Sequence, residues 1–180
     1  MVAMPGRGIA LLTGVLLIVG CDRQPAAAPA PSASPGLAVR SPVFAGGAPI
    51  PARFTCAGPG DRPAIAWSGA TAAAWAIVVD DPDAPGGDFY HWVVVDLPGG
   101  TTGVAGAVPA GAHEIKNSGG RAAWTPPCPP SGTHHYRFTV YGLRAPTGLG
   151  AGSSLGDALA TIQRGATVQG RLTGLVTHAG

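Results

Sequence analysis

Charge is scarce in this chain: Asp, Glu, Lys and Arg make up 11% of its 180 residues, and the formal net charge is only +2. With no basic stripe to neutralise a run of phosphates, nucleic acid is excluded as a partner. Methionine occurs only at Met1 and Met4, so the axial thioether of a blue-copper site has no candidate in the body of the chain. The chain contains no G-x-S-x-G elbow, and Ser68, in Ala-Trp-Ser-Gly-Ala, has no base beside it, which argues against a serine hydrolase. No apolar run reaches membrane-spanning length either: the longest, Ile9 to Gly20, has twelve residues, too few to cross about 30 Å of hydrocarbon as a helix.

That run is nevertheless informative. Residues 1–20, with Arg7 as their only charge, read as an export signal, and Ile18-Val19-Gly20-Cys21 resembles a bacterial lipobox, in which the cysteine is lipidated and becomes the new N-terminus. Residues 22–36, DRQPAAAPAPSASPG, are a Pro/Ala tract that resists helix and sheet alike. Together with Cys21 they form a tether, and at about 3 Å per residue its reach is roughly 45 Å when extended. A domain over 37–180 is thus expected outside the cytoplasm, anchored to a membrane through lipid.

Only three cysteines are present. If Cys21 is lipidated, Cys56 and Cys128 remain as a candidate disulfide pair in an oxidising compartment; the alternative is two unlinked small core residues.

What the chain has in abundance is glycine (29) and proline (19), which suits many short strands joined by turns. Ala74–Asp81, Trp92–Leu97 and Tyr136–Leu143 are the clearest strands. Weaker candidates lie at Arg53–Cys56, Ala64–Trp67, Thr101–Val108 and Val168–Val176. A single helix, capped by Ser153 or Ser154 and ending near Gly165, places Leu155, Ala158, Leu159 and Ile162 on one face. The expected fold is all-β, a sandwich of two antiparallel sheets with one short C-terminal helix.

Polar residues gather at strand ends. In a strand, residues two apart share a face, so Asp81 belongs with Trp75, Ile77 and Val79. On the same rule His91 belongs with Val93, Val95 and Leu97, and His134 with Tyr136, Phe138 and Val140. The short link from Pro82 to Tyr90 brings the Asp81 and His91 ends together. Taken singly, each acid is also an ordinary turn former and each histidine an ordinary edge residue.

The motifs shift this balance. Asp81-Pro82-Asp83-Ala84-Pro85 followed by His91-Trp92-Val93-Val94-Val95, with Phe54-Thr55-Cys56, Cys128-Pro129-Pro130-Ser131-Gly132 and His134-His135-Tyr136, resembles the signature set of the phosphatidylethanolamine-binding protein family. The resemblance runs from about Val39 to Val176, closest to the bacterial Raf kinase inhibitor-like subgroup. It implies a Greek-key β sandwich with a small anion-accepting pocket lined by Asp81, Asp83, His91, Pro129, His134 and Tyr136, with Cys128 where other members often have glycine. It implies non-enzymatic binding, without cofactor or metal, of a small anionic ligand such as a phospholipid headgroup; a regulated protein partner, for instance an extracytoplasmic protease or kinase, is the alternative.

In such a pocket the imidazoles and the Tyr136 hydroxyl donate to phosphate-like oxygens, while Asp81 and Asp83 orient a histidine or accept from an ammonium group. Histidine would make anion binding tighten as pH falls. The run Trp124-Thr125-Pro126-Pro127-Cys128 departs from the tyrosine and glycine common ahead of the CPP segment in the family, which implies a narrower or stiffer rim. An immunoglobulin-like reading of Cys56, Trp75 and Cys128 lacks the tyrosine two residues before the second cysteine, since position 126 is proline.

Overall fold

The structure is a computed structural model that describes residues 1–2 and 36–178. The apolar export segment, Cys21 and the tether through Pro35 lie outside the described residues. Among the described residues, eight strands and one α-helix follow in the order β1 (Ala38–Arg40), β2 (Ile65–Ser68), β3 (Ala74–Asp81), β4 (Phe89–Pro98), β5 (Gly103–Val104), β6 (His113–Ile115), β7 (Thr133–Leu143), α1 (Leu155–Gly165) and β8 (Ala166–Thr177). They form two antiparallel sheets, β1-β2-β5 and β6-β4-β3-β7-β8.

All eight residues of β3 are buried, because this central strand is covered on both faces. Its Trp75, Ile77 and Val79 join Trp92 and Val94 of β4 and Tyr136, Phe138 and Val140 of β7 against Ile65 and Trp67 of the small sheet. Its Ala74, Ala76 and Val78 face the other way, packing with Val93, Val95, Ile115 and Tyr141 beneath Ala158 and Ile162 of α1. The helix begins where the sequence places it: Ser154 caps it, its Oγ accepting from the Asp157 N–H.

Four expectations need correction. Arg53–Cys56 is no strand: Ala52–Phe54 forms a 3₁₀ turn, entered through Pro51 at φ −60° and closed by Thr55, whose hydroxyl donates to the Ala52 carbonyl at 3.1 Å. Its apolar signal came from Phe54, which is buried. Thr101–Val108 shrinks to Gly103–Val104, since Gly106 at φ 84° turns the chain out of the sheet. The three-residue strands β1 and β6 are too short to carry a period and went unread.

The fourth concerns β4. Its register against β3 slips twice, between Trp75 and Ile77 and between Val79 and Asp80. A one-residue slip carries every following side chain to the opposite face. Val93 and Val95 therefore point toward α1, whereas Leu97 and His91, expected with them, lie on the inner side. Asp96 absorbs the first slip at φ 60°, and its carboxylate accepts from the N–H groups of Thr147 (2.6 Å) and Gly148 (3.0 Å), offsetting a conformation that costs a non-glycine residue about 1 kcal/mol or more.

Candidate functional site

At the end of the sandwich where β3 finishes, a cavity of about 230 Å³ opens among Asp81, Phe89, His91, His134 and Tyr136. Each strand contributes a terminal residue. Asp81 closes β3; the second slip, which skips His91 in the pairing of Val79 with Trp92 and Asp80 with Tyr90, turns His91 inward; His134 and Tyr136 come from the start of β7. The remaining wall is the irregular segment carrying Thr125, Pro126, Cys128 and Pro130.

The four polar residues are almost wholly buried: Asp81 is 3% exposed, His91 5%, His134 6% and Tyr136 0%. Both imidazoles are oriented by one ring nitrogen. His91 Nδ1–H donates to the Thr125 carbonyl at 2.9 Å, and because a carbonyl only accepts, the tautomer follows. His134 Nδ1–H donates to Asp81 Oδ2 at 2.7 Å. With Nδ1 the donor, Nε2 of each neutral ring is an acceptor, and neither has a partner among the described residues. The other Asp81 oxygen accepts from the Asp83 N–H at 2.9 Å, so this carboxylate orients a histidine and starts the loop.

Packing fixes the His91 ring between Phe89, at 4.8 Å between centroids, and the edge of Tyr136, at 5.2 Å. Burial pushes the His91 pKa down by disfavouring the imidazolium, with the Thr125 carbonyl and Asp81 opposing. Burial pushes the Tyr136 phenol up, and the Asp81 carboxylate adds to it, so Tyr136 stays a hydroxyl. That hydroxyl is buried close to the Asp81 carboxylate and the Cys128 backbone, but makes a well-formed hydrogen bond with no group among the described residues.

Asp81, His91, His134 and Tyr136 thus come together as the motifs suggested, and two other candidates lie outside the lining. Asp83 is an exposed lip residue whose Oδ2 accepts both the N–H and the Nδ1–H of His135 at 2.7 Å, bonds that hold its carboxyl below the usual range. Pro129 turns away, its carbonyl accepting from His178 Nδ1–H at 2.9 Å, and Pro130 takes the lining position. Cys56 and Cys128 are joined, with Cα atoms 5.3 Å apart. Bonded to Cys56, the Cys128 sulfur is no thiolate for copper, and among the described residues no three His, Cys, Asp or Glu side chains are grouped to hold a metal ion.

Sequence reading missed Phe89 and Asn117. Asn117, 4% exposed, donates from Nδ2 to the carbonyls of His91 (3.1 Å) and Ala123 (2.9 Å) and to Thr125 Oγ1 (2.8 Å), and accepts at Oδ1 from the N–H groups of Gly119 and Arg121. It thereby ties the Thr125 side chain to the His91 backbone, across the segment whose carbonyl meets the His91 ring. The Asn-Ser-Gly-Gly run signals a turn, and nothing in it signals a link to His91.

A family model described as phosphatidylethanolamine-binding protein matches residues 40–177. A Mycobacterium tuberculosis protein named "Putative lipoprotein LppC" is 48% identical over 153 residues, covering 83% of this chain and 76% of that protein. Among solved structures, Escherichia coli YbcL, described as a member of the mammalian PEBP family, superposes with a TM-score of 0.75 at 26% identity, over 79% of this chain and 99% of that one. The homologue CT736 of Chlamydia trachomatis gives 0.74 at 28%, over 81% and 100%.

Proposed function

This chain belongs to the phosphatidylethanolamine-binding protein family, and from that premise we propose that its cavity binds a small ligand bearing phosphate-like anionic oxygens, without transforming it. The observation that carries this reading is the Tyr136 hydroxyl, fully buried, without a partner and set in the cavity lining. An orphaned buried hydroxyl costs about 1–3 kcal/mol, a cost that an incoming acceptor oxygen removes. Two imidazoles flank it; with Nδ1 already the donor, Nε2 accepts from a protonated anion oxygen while the ring is neutral and donates to an anionic oxygen once the ring takes a proton. A tetrahedral anion presents several oxygens to such convergent groups, and the cavity suits a headgroup-sized molecule. The lining has no free serine or thiol to act as a nucleophile.

The location follows the same support. A lipobox-like Ile18–Cys21, a disulfide and a relative named as a lipoprotein favour a domain held outside the cytoplasm by a lipid on Cys21. Among the described residues no helix is long and apolar enough to cross a membrane. Mass spectrometry of the mature N-terminus reads the anchor directly; an unmodified Cys21 sinks it.

The binding test is titration of the full chain with inorganic phosphate and with phosphoethanolamine, following the histidine side chains by NMR. Saturable shifts at His91 and His134, lost in His91→Ala, are expected. No shift at either pH 6 or pH 8 would overturn the reading, and a response to phosphoethanolamine alone would direct it to zwitterionic headgroups.

A further inference from the structure

The cavity wall from Thr125 to Pro130 is unusual in what holds it. Four of its six residues, Pro126, Pro127, Pro129 and Pro130, have no N–H to donate, so the segment cannot be pinned by a backbone ladder. Yet it supplies four lining residues. Its noncovalent links to the facing segment are few. Cys56 N–H donates to the Pro127 carbonyl at 3.0 Å, Trp124 Nε1–H donates to the Gly60 carbonyl at 3.1 Å, and the Pro126 ring lies over Gly60, where a Cβ would stand 2.6 Å from its Cγ. The covalent link is the Cys56–Cys128 bond, which spans 72 residues of sequence.

That bond is not enclosed. Cys56 and Cys128 are both exposed residues, and both line a second, larger hollow of about 750 Å³ on the far side of the wall, with Ile50, Pro130 and Leu175. Cys128 and Pro130 border both cavities. Structural disulfides are as a rule shielded from thiols, and exposed ones are the exchangeable class.

We propose that Cys56–Cys128 is a thiol–disulfide exchange site, open to a low-molecular-weight thiol through the larger hollow, whose state sets the order of the wall and so the affinity of the anion cavity. The thiolate attacks one cystine sulfur and forms a mixed disulfide; the other sulfur leaves as a thiolate and takes a proton. A second thiol then resolves the mixed disulfide. The protein gains two electrons and two protons, and the two small thiols lose them as their own disulfide. The affinity half of this inference rests on the binding reading above; the exchange half stands on the wall alone.

The full chain, folded and oxidised, is treated with dithiothreitol without denaturant. Two quantities are followed: solvent exchange of the indole N–H groups, and phosphate affinity at His91. Trp124 reports the wall, and Trp75, whose Nε1–H donates to the Gly99 carbonyl at 2.9 Å within the core, serves as the control. Expected are faster exchange at Trp124 with Trp75 unchanged and, if the wall is then in place about a tenth of the time, an affinity loss of about tenfold, both reversed on reoxidation. Cys56→Ser with Cys128→Ser reproduces the reduced state without reductant.

A bond that resists dithiothreitol in the native protein overturns the proposal. So does joint loss of protection at Trp124 and Trp75, which would make the bond a global staple, and so does unchanged phosphate affinity after reduction. A Trp124 response in a protein whose oxidised form binds no phosphate keeps the exchange site and overturns the ligand reading alone.

Discussion

Asp80 and Asp81 are neighbours in sequence, both almost wholly buried, and they sit on opposite faces of β3 in opposite circumstances. On the outer face Asp80 is met by Arg137, whose Nε donates at 2.8 Å and whose Nη2 also bonds it and reaches Asp88 at 3.3 Å. Burial pushes the Asp80 carboxyl up while Arg137 opposes, and Asp80 in turn raises the Arg137 pKa. On the inner face Asp81 is met by His134, beside an unpartnered hydroxyl and a cavity. One pair is matched acid to base. The other borders a cavity and is left open to a guest, and that difference separates a structural charge from a site.

The comparison breaks if the two faces respond alike. Arg137→Met leaves Asp80 buried without its cation; urea unfolding is expected to show a loss of about 2 kcal/mol, less than for an enclosed pair because 27% of the Arg137 side chain is exposed. Phosphate affinity should hold, and its collapse in the folded variant would join the faces into one unit.

Tyr136→Phe should do the reverse. Losing one hydrogen bond to the ligand lowers phosphate affinity by about tenfold, while stability stays level or rises, because a buried hydroxyl without a partner has been removed. A clear drop in unfolding free energy would show that the hydroxyl is spoken for in the unliganded fold.

The smallest effect is in pH. His91 faces Asp81, His134, Tyr136 and the Thr125 carbonyl, and its folded pKa lies below the ordinary value of about 6.5. As pH falls below that value the unfolded chain takes the proton first. The stability due to neutral His91 is therefore complete above it and declines below it, until the folded pKa is reached. Wild type should lose more stability than His91→Phe between pH 7 and pH 5. Parallel curves would mean that burial does not perturb this imidazole. For the same reason, the tightening of anion binding on acidification belongs at lower pH than an unperturbed histidine implies.

The bounds of β3 were legible to the residue, because six apolar residues running into Asp-Asp-Pro are strand followed by turn. The helix was legible from its serine cap and apolar spacing. Strand β4 was legible as a strand but not in its facing: simple alternation puts His91 with Val93, and only the double slip against β3 separates them. The cavity residues on strands were named from motifs, and those on the irregular wall were partly misplaced, Pro129 for Pro130, because a proline run has no period from which to read its direction.

The sequence by itself determined the all-β class, the central strands, Cys56 and Cys128 as a candidate pair, and a cluster of Asp81, His91, His134 and Tyr136 at strand ends. These rest on local rules: period, capping, turn chemistry and motif. Tertiary structure decided which face His91 turns to, that Asp83 bonds His135 on the lip, that Asn117 bonds the Thr125 hydroxyl and the His91 carbonyl, and that the Tyr136 hydroxyl is left without a partner. Each of these depends on register or on contacts between segments far apart in sequence, and no local pattern encodes where two distant strands slip past one another.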